Sequence, residues 1–145
     1  LYPLSGEGDG WLPAELPDQG SLRAGAYSLK TEVGVVDMGL ARWLLIPGEL
    51  YPELALGKFQ EPQDPGADFP GAAKEPALRP LSDRPEFLIC LADDELGYLI
   101  PKSQWDSEPP YAYGRDEPQY GERNSVGPEA TPMIMRALVE LLSEK

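Results

Sequence analysis

Among the 145 residues there is no histidine and a single cysteine, Cys90. Without an imidazole, neither Ser-His-Asp nor Cys-His catalysis can be assembled from this chain, and a histidine-rich zinc site is excluded as well. Cys90 lies in the apolar run EFLICLA (86–92). A reactive thiolate needs a histidine or another cation beside it, so the run predicts a buried, inert thiol. One cysteine also excludes an internal disulfide and leaves the redox compartment open. Basic residues are few, 12 Lys and Arg against 25 Asp and Glu, for a formal net charge of −13. A surface of that sign repels phosphate backbones and anionic membranes, so nucleic acid is not an expected partner. No apolar run reaches the roughly 18 residues of a transmembrane helix, and no basic-then-apolar leader opens the chain. The expectation is a soluble protein, with a secreted or periplasmic location left open. A chain that starts at Leu1 rather than methionine fits a processed protein or a fragment.

What the sequence does contain divides into four stretches of one domain or fragment. Residues 1–27 are rich in Gly, Pro and acids and read as irregular. Residues 28–58 begin with Leu29, Thr31, Val33 and Val35 alternating with Lys30, Glu32 and Gly34, the two-residue period of a strand. DMGL (37–40) supplies a turn, and ARWLLI (41–46) is apolar enough for a strand buried on both faces. YPELALGKF (51–59) predicts a short helix with Pro52 in its first turn. Residues 59–85 carry six prolines, too many for regular structure, and are long enough to be a covering loop or lid. Residues 86–145 hold a third apolar strand (86–92), an aromatic and acidic loop (102–124) and a terminal helix. Met133, Ala137, Leu138, Leu141 and Leu142 form that helix's apolar face, with Glu140 and Glu144 opposite. The expected fold is α/β or α+β: a small mixed sheet, the C-terminal helix packed on it, and long Pro-rich loops.

Two buried strands end in polar loops, LLIPGE (44–49) and LICLADDELGY (88–98). If they are neighbours, their C-terminal ends form the sheet edge where open α/β folds bind ligands. That places Glu49 and the 93–98 stretch in one candidate site. Gly48 permits a sharp turn just before Glu49. Asp93, Asp94 and Glu95 are oxygen donors suited to a hard cation such as calcium, but lack the alternating spacing of an EF-hand loop. Tyr98 is expected to pack its ring and hydrogen-bond its hydroxyl. Trp105, Tyr111, Tyr113 and Tyr120 either cap the core or line an apolar groove. Ser125 has no base to activate it and reads as a turn or helix cap.

In combination, VVDMGLARWLLIPGELYPEL (35–54), LICLADDELGYLIP (88–101) and QYGERNSVGPEATPMIMRALVELL (119–142) resemble the neutral/alkaline ceramidase family, bacterial members in particular. The resemblance covers roughly residues 30–57 and 86–145. It implies a zinc amidohydrolase that cleaves the amide of a ceramide-like N-acyl lipid. In that family the zinc is held by two histidines, the glutamate of PGE and a later tyrosine. Carried over, the glutamate is Glu49 and the tyrosine is Tyr98. The family's histidines and its reaction-centre serine belong to an earlier segment, so the catalytic nucleophile and histidines are not in this chain. The resemblance therefore implies the C-terminal portion of a catalytic domain, inactive without an upstream His-bearing segment. Two features depart from the family pattern: the Pro-rich stretch 59–85 stands where a long helix usually follows PGE, and a Tyr-Glu pair is split as Tyr120-Gly121-Glu122. Both lie where substrate would approach and leave room for a different N-acyl substrate. The competing expectation is an acidic, non-catalytic binding domain that keeps the fold without the metal site.

Overall fold

The computed structural model describes residues 2–3, 11–14, 27–59, 61–79 and 84–143. Eight short strands and three helices follow one another in the order β1 (Tyr2–Pro3), β2 (Trp11–Ala14), β3 (Tyr27–Lys30), β4 (Glu32–Asp37), β5 (Arg42–Ile46), β6 (Glu49–Leu50), α1 (Pro52–Leu56), β7 (Glu86–Cys90), β8 (Tyr98–Leu99), α2 (Tyr120–Arg123) and α3 (Ala130–Ser143). The main sheet has the order β1-β4-β5-β7. β4 and β5 pair antiparallel through the turn at 38–41, where the Gly39 N–H caps the Asp37 carboxylate at 2.7 Å. β5 and β7 pair parallel, from Arg42 opposite Glu86 to Ile46 opposite Cys90. The mixed sheet is thus the predicted one, and the two apolar strands are neighbours with their C-terminal ends together. Two smaller pairs flank it, β2 with β3 antiparallel and β6 with β8 parallel. β1 and β2 fall within the stretch read from sequence as irregular; two- and four-residue strands carry too little periodicity to be seen there.

The core lies between one face of this sheet and α3. Val33, Leu44 and Ile46 from the sheet meet Ala130, Ile134, Met135, Ala137 and Leu138 from the helix, all fully or nearly fully buried. Their three- and four-residue spacing is a helical stripe, but shifted from the one expected from sequence: Ala137 and Leu138 are shared, Ile134 and Met135 are buried in addition, and Met133, Leu141 and Leu142 are half-buried on its margin. α3 lies across β4 and reaches β2. The opposite face of the sheet is open, against the expectation of strands buried on both sides. Val36 pairs with Trp43, and Trp43 with Phe87; Trp43 is 43% and Phe87 54% exposed. Cys90, predicted buried, is exposed. β7 is the edge of the sheet, so apolar neighbours in sequence do not enclose the thiol.

The Pro-rich stretch holds no α-helix or strand among its described residues, as its prolines dictate. It is nevertheless anchored. Leu78 is fully buried, and its N–H bonds to the Leu54 carbonyl at the middle of α1. Two carboxylates fasten it to the 102–118 loop. Asp68 accepts from the Ser107 N–H and hydroxyl, both at 2.8 Å. Asp64 accepts from the Gly66 N–H at 2.8 Å and the Tyr113 N–H at 3.0 Å. The two long loops therefore behave as one layer beside α1.

Candidate functional site

After β5 and β7 the chain does not disperse into separate loops. The Leu96 N–H bonds to the Pro47 carbonyl at 2.8 Å, Ala92 to Ile46 at 3.0 Å, and the Glu49 N–H to the Gly97 carbonyl at 2.8 Å. Gly48 makes this approach possible, because a Cβ there would sit 2.6 Å from the Gly97 oxygen. Gly97 has φ of +72°, and a Cβ on it would overlap the Asn124 carbonyl oxygen at 1.8 Å. Only glycine meets both demands. The two loops then align as β6 and β8, with Glu49 opposite Tyr98 and Leu50 opposite Leu99. Leu99 is fully buried, so the alternation of a strand leaves Glu49 and Tyr98 together on the other face.

The two residues carried over from the ceramidase resemblance are thus register partners. Both are half-buried. The Tyr98 phenol lies near enough to the Glu49 carboxylate to feel its charge. Loss of solvent, then the neighbouring Glu49 carboxylate, and finally Tyr120, hold the Tyr98 phenol above its ordinary value. The acidic triplet does not join them. Asp93, Asp94 and Glu95 are exposed, and Asp94 instead accepts from the Thr31 hydroxyl at 2.8 Å. Leu91 and Asp93 take left-handed backbone, φ 54° and 69°. Ser125 acts locally, accepting from the Gly127 N–H at 3.4 Å and bridging to Gly97.

Further residues enter the site from the segment before α1 and from α2, a helix the sequence reading did not place although it named Tyr120 and Glu122. The Tyr98 ring makes edge contacts with Tyr51 at 6.2 Å and Tyr120 at 5.8 Å between centroids. Tyr51 stands two residues after Glu49, and that two-residue step along an extended segment was a legible signal for a shared face. Tyr120 opens α2 and is 71% exposed, so it lines the site rather than capping the core; Trp105, by contrast, is buried. Gly121 lets α2 approach, since a Cβ there would lie 2.6 Å from the Tyr51 hydroxyl. Behind it Glu122 is only 7% exposed, and neither carboxylate oxygen completes a hydrogen bond. Burial, and then the Asp106 charge, raise its pKa, while Arg115 opposes them. Burial, then Glu122 and Glu53, push the Tyr51 phenol up to about 12.

The arrangement can do two things chemically. Glu49 and Tyr98 present two adjacent oxygen donors, an acceptable part-set for zinc, which takes carboxylate oxygen readily. Among the described residues no group of three or more His, Cys, Asp and Glu side chains converges to hold a metal ion. At the site, Tyr51, Tyr98 and Tyr120 form an aromatic wall with hydroxyl tips, suited to a ligand that is part apolar and part polar. Compared with known protein families, curated proteins and solved structures, the chain matches none.

Proposed function

We propose that the chain supplies the glutamate and tyrosine half of a zinc amidohydrolase site of ceramidase type, acting on an N-acyl, ceramide-like amide. The observation that carries this reading is the pairing of Glu49 with Tyr98 across β6 and β8. Residues 49 apart in sequence are brought to one face by two glycines that tolerate no side chain. In this reading the Glu49 carboxylate and the Tyr98 oxygen are ligands, and Tyr51 and Tyr120 hold the Tyr98 ring between them. Zinc, when bound, polarises an amide carbonyl and acidifies water. The remaining ligands come from a His-bearing segment of the same protein. The open face carrying Val36, Trp43, Phe87 and Ile89, together with the free edge of β7, supports the need for such a partner. Parallel strand pairs are ordinarily covered on both faces.

The test is zinc content and amidase activity of a protein that includes the histidine segment. Glu49→Gln and Tyr98→Phe are each expected to lower zinc affinity at least tenfold, about 1.4 kcal/mol. Tyr98 gives an independent readout. Without metal its phenol titrates above the ordinary value, whereas a zinc ion beside it favours the phenolate and moves the titration down. Unchanged zinc content in both variants overturns the proposal. A second reading is favoured by the raised Tyr98 phenol, which beside the Glu49 carboxylate keeps its proton instead of offering a phenolate ligand. On that reading the chain is an acidic binding domain that keeps the fold. It predicts a Tyr98 titration indifferent to zinc.

A further inference from the structure

Beside Tyr51 lies a cavity of about 330 Å³ lined by Tyr51, Glu53, Gln104, Tyr113, Arg115 and Gln119. Its volume falls in the range of small-molecule sites. The lining comes from α1, the turn at 102–104, the 112–114 turn and the residue before α2. No part of the proposed zinc chemistry uses it. We propose that this cavity binds a neutral, hydroxyl-rich group such as a hexose ring.

Three observations carry the proposal. First, charge: the lining holds one carboxylate and one guanidinium, with the buried Glu122 and Asp106 close to Arg115. The carboxylates oppose an anion and Arg115 opposes a cation, which leaves an uncharged ligand. Second, hydrogen bonding: Glu53 Oε2 and Gln104 Nε2 are both shut off from solvent with no partner among the described residues. One is an acceptor and the other a donor, and both side chains line the cavity. A turn of either terminal group toward the cavity brings the orphaned atom to a ligand hydroxyl, which donates and accepts at once. Buried polar atoms in this state are costly and call for a partner. Planar Glu, Gln and Arg side chains also match pairs of neighbouring hydroxyls. Third, backbone: Tyr113 adopts φ 59° and ψ 25°, a left-handed conformation that a bulky residue takes at a cost. The Asp64 carboxylate holds its N–H, and Arg115 lies 5.1 Å from its ring centre. The strained turn delivers an aromatic ring to the cavity beside Tyr51, as an apolar platform for a sugar face.

The experiment uses the chain itself, without metal, so its outcome is independent of the zinc proposal. Amide shifts are followed while methyl hexosides and myo-inositol are added, with inorganic phosphate and tetramethylammonium as charged probes. At least one hexoside or the inositol is expected to shift the amides of Glu53, Gln104, Tyr113, Arg115 and Gln119. Gln104→Ala and Gln119→Ala should each weaken that binding about tenfold, the worth of one well-made hydrogen bond. Two variants from separate segments guard against misfolding of one. The proposal is overturned if no polyol shifts these amides at about 50 mM, well above a millimolar Kd. It is equally overturned if only phosphate or only tetramethylammonium does so, or if both variants bind the hexoside unchanged.

Discussion

At the scale of single residues, the glycines decide whether the site exists. Gly97 is held by both its left-handed φ and the Asn124 carbonyl against it, while Gly39 has a similar φ of +78° but nothing within 4 Å of a built Cβ. Alanine at Gly39 should therefore cost only the left-handed penalty, about 1–2 kcal/mol. Alanine at Gly97 adds overpacking of about 1–3 kcal/mol and should pull β8 off the 124–125 turn. Urea unfolding of the two variants checks the difference; equal losses would show that the loops are not closely packed. The side chains at the site make a second prediction. Glu49→Gln removes a charge that disfavours the Tyr98 phenolate, so the phenol should titrate at lower pH in the variant. Carbon-13 tyrosine resonances read this directly. Residual elevation from desolvation is expected to persist.

At the scale of elements, α3 and the loop layer contribute in different ways. Leu138 is fully buried on α3 and Arg136 is exposed. Leu138→Ala should cost about 2–5 kcal/mol and Arg136→Ala no more than about 0.5 kcal/mol, read by thermal or urea unfolding. The loops are held by carboxylates rather than by a hydrophobic stripe. Asp68 joins the Pro-rich stretch to Ser107 and, at 3.3 Å, to the Glu108 N–H. Asp68→Ala should cost about 1–3 kcal/mol, the worth of a charge-assisted hydrogen bond. Amide exchange at Ser107 should quicken while exchange in α3 stays unchanged. Helix existence and type were legible because α3 repeats its pattern over fourteen residues. α2, with four residues, offered no helical pattern to read, so the burial of Glu122 beneath Tyr120 could not be foreseen.

At the scale of the molecule, two buried glutamates set the pH dependence. Burial raises the carboxyls of Glu122 and Glu75 above their ordinary value of 4.5. The folded chain then holds these protons more tightly than the unfolded one. Their contribution is fully present below that ordinary value and is lost as pH rises through the higher folded values. Asp37 acts in the opposite sense, chiefly because the Gly39 N–H lowers its pKa, and its contribution fades only as pH falls through that lowered value. The Glu75→Gln/Glu122→Gln protein should unfold at similar urea concentration to the parent near about pH 4, and at higher urea near about pH 8. A parallel loss of stability with rising pH in both proteins would refute the assignment. Among the described residues no helix is long and apolar enough to cross a membrane.

The sequence by itself determined what repeats or punctuates. A two-residue period specified β4, continuous apolar runs β5 and β7, and a helical period α3; the prolines argued against regular structure in the loop after α1; the absence of histidine ruled out whole classes of chemistry within this chain. It also marked Glu49 and Tyr98, each through a motif at the end of an apolar strand. Only the tertiary structure decided that these two meet, because parallel register between β5 and β7 is set by side-chain packing and by glycine-tolerated backbone contacts. It likewise decided that Cys90 is exposed, that one sheet face stays open, and that Tyr51, Tyr113 and Arg115 share a cavity. Hydropathy records how apolar a segment is; what lies against it depends on the rest of the chain.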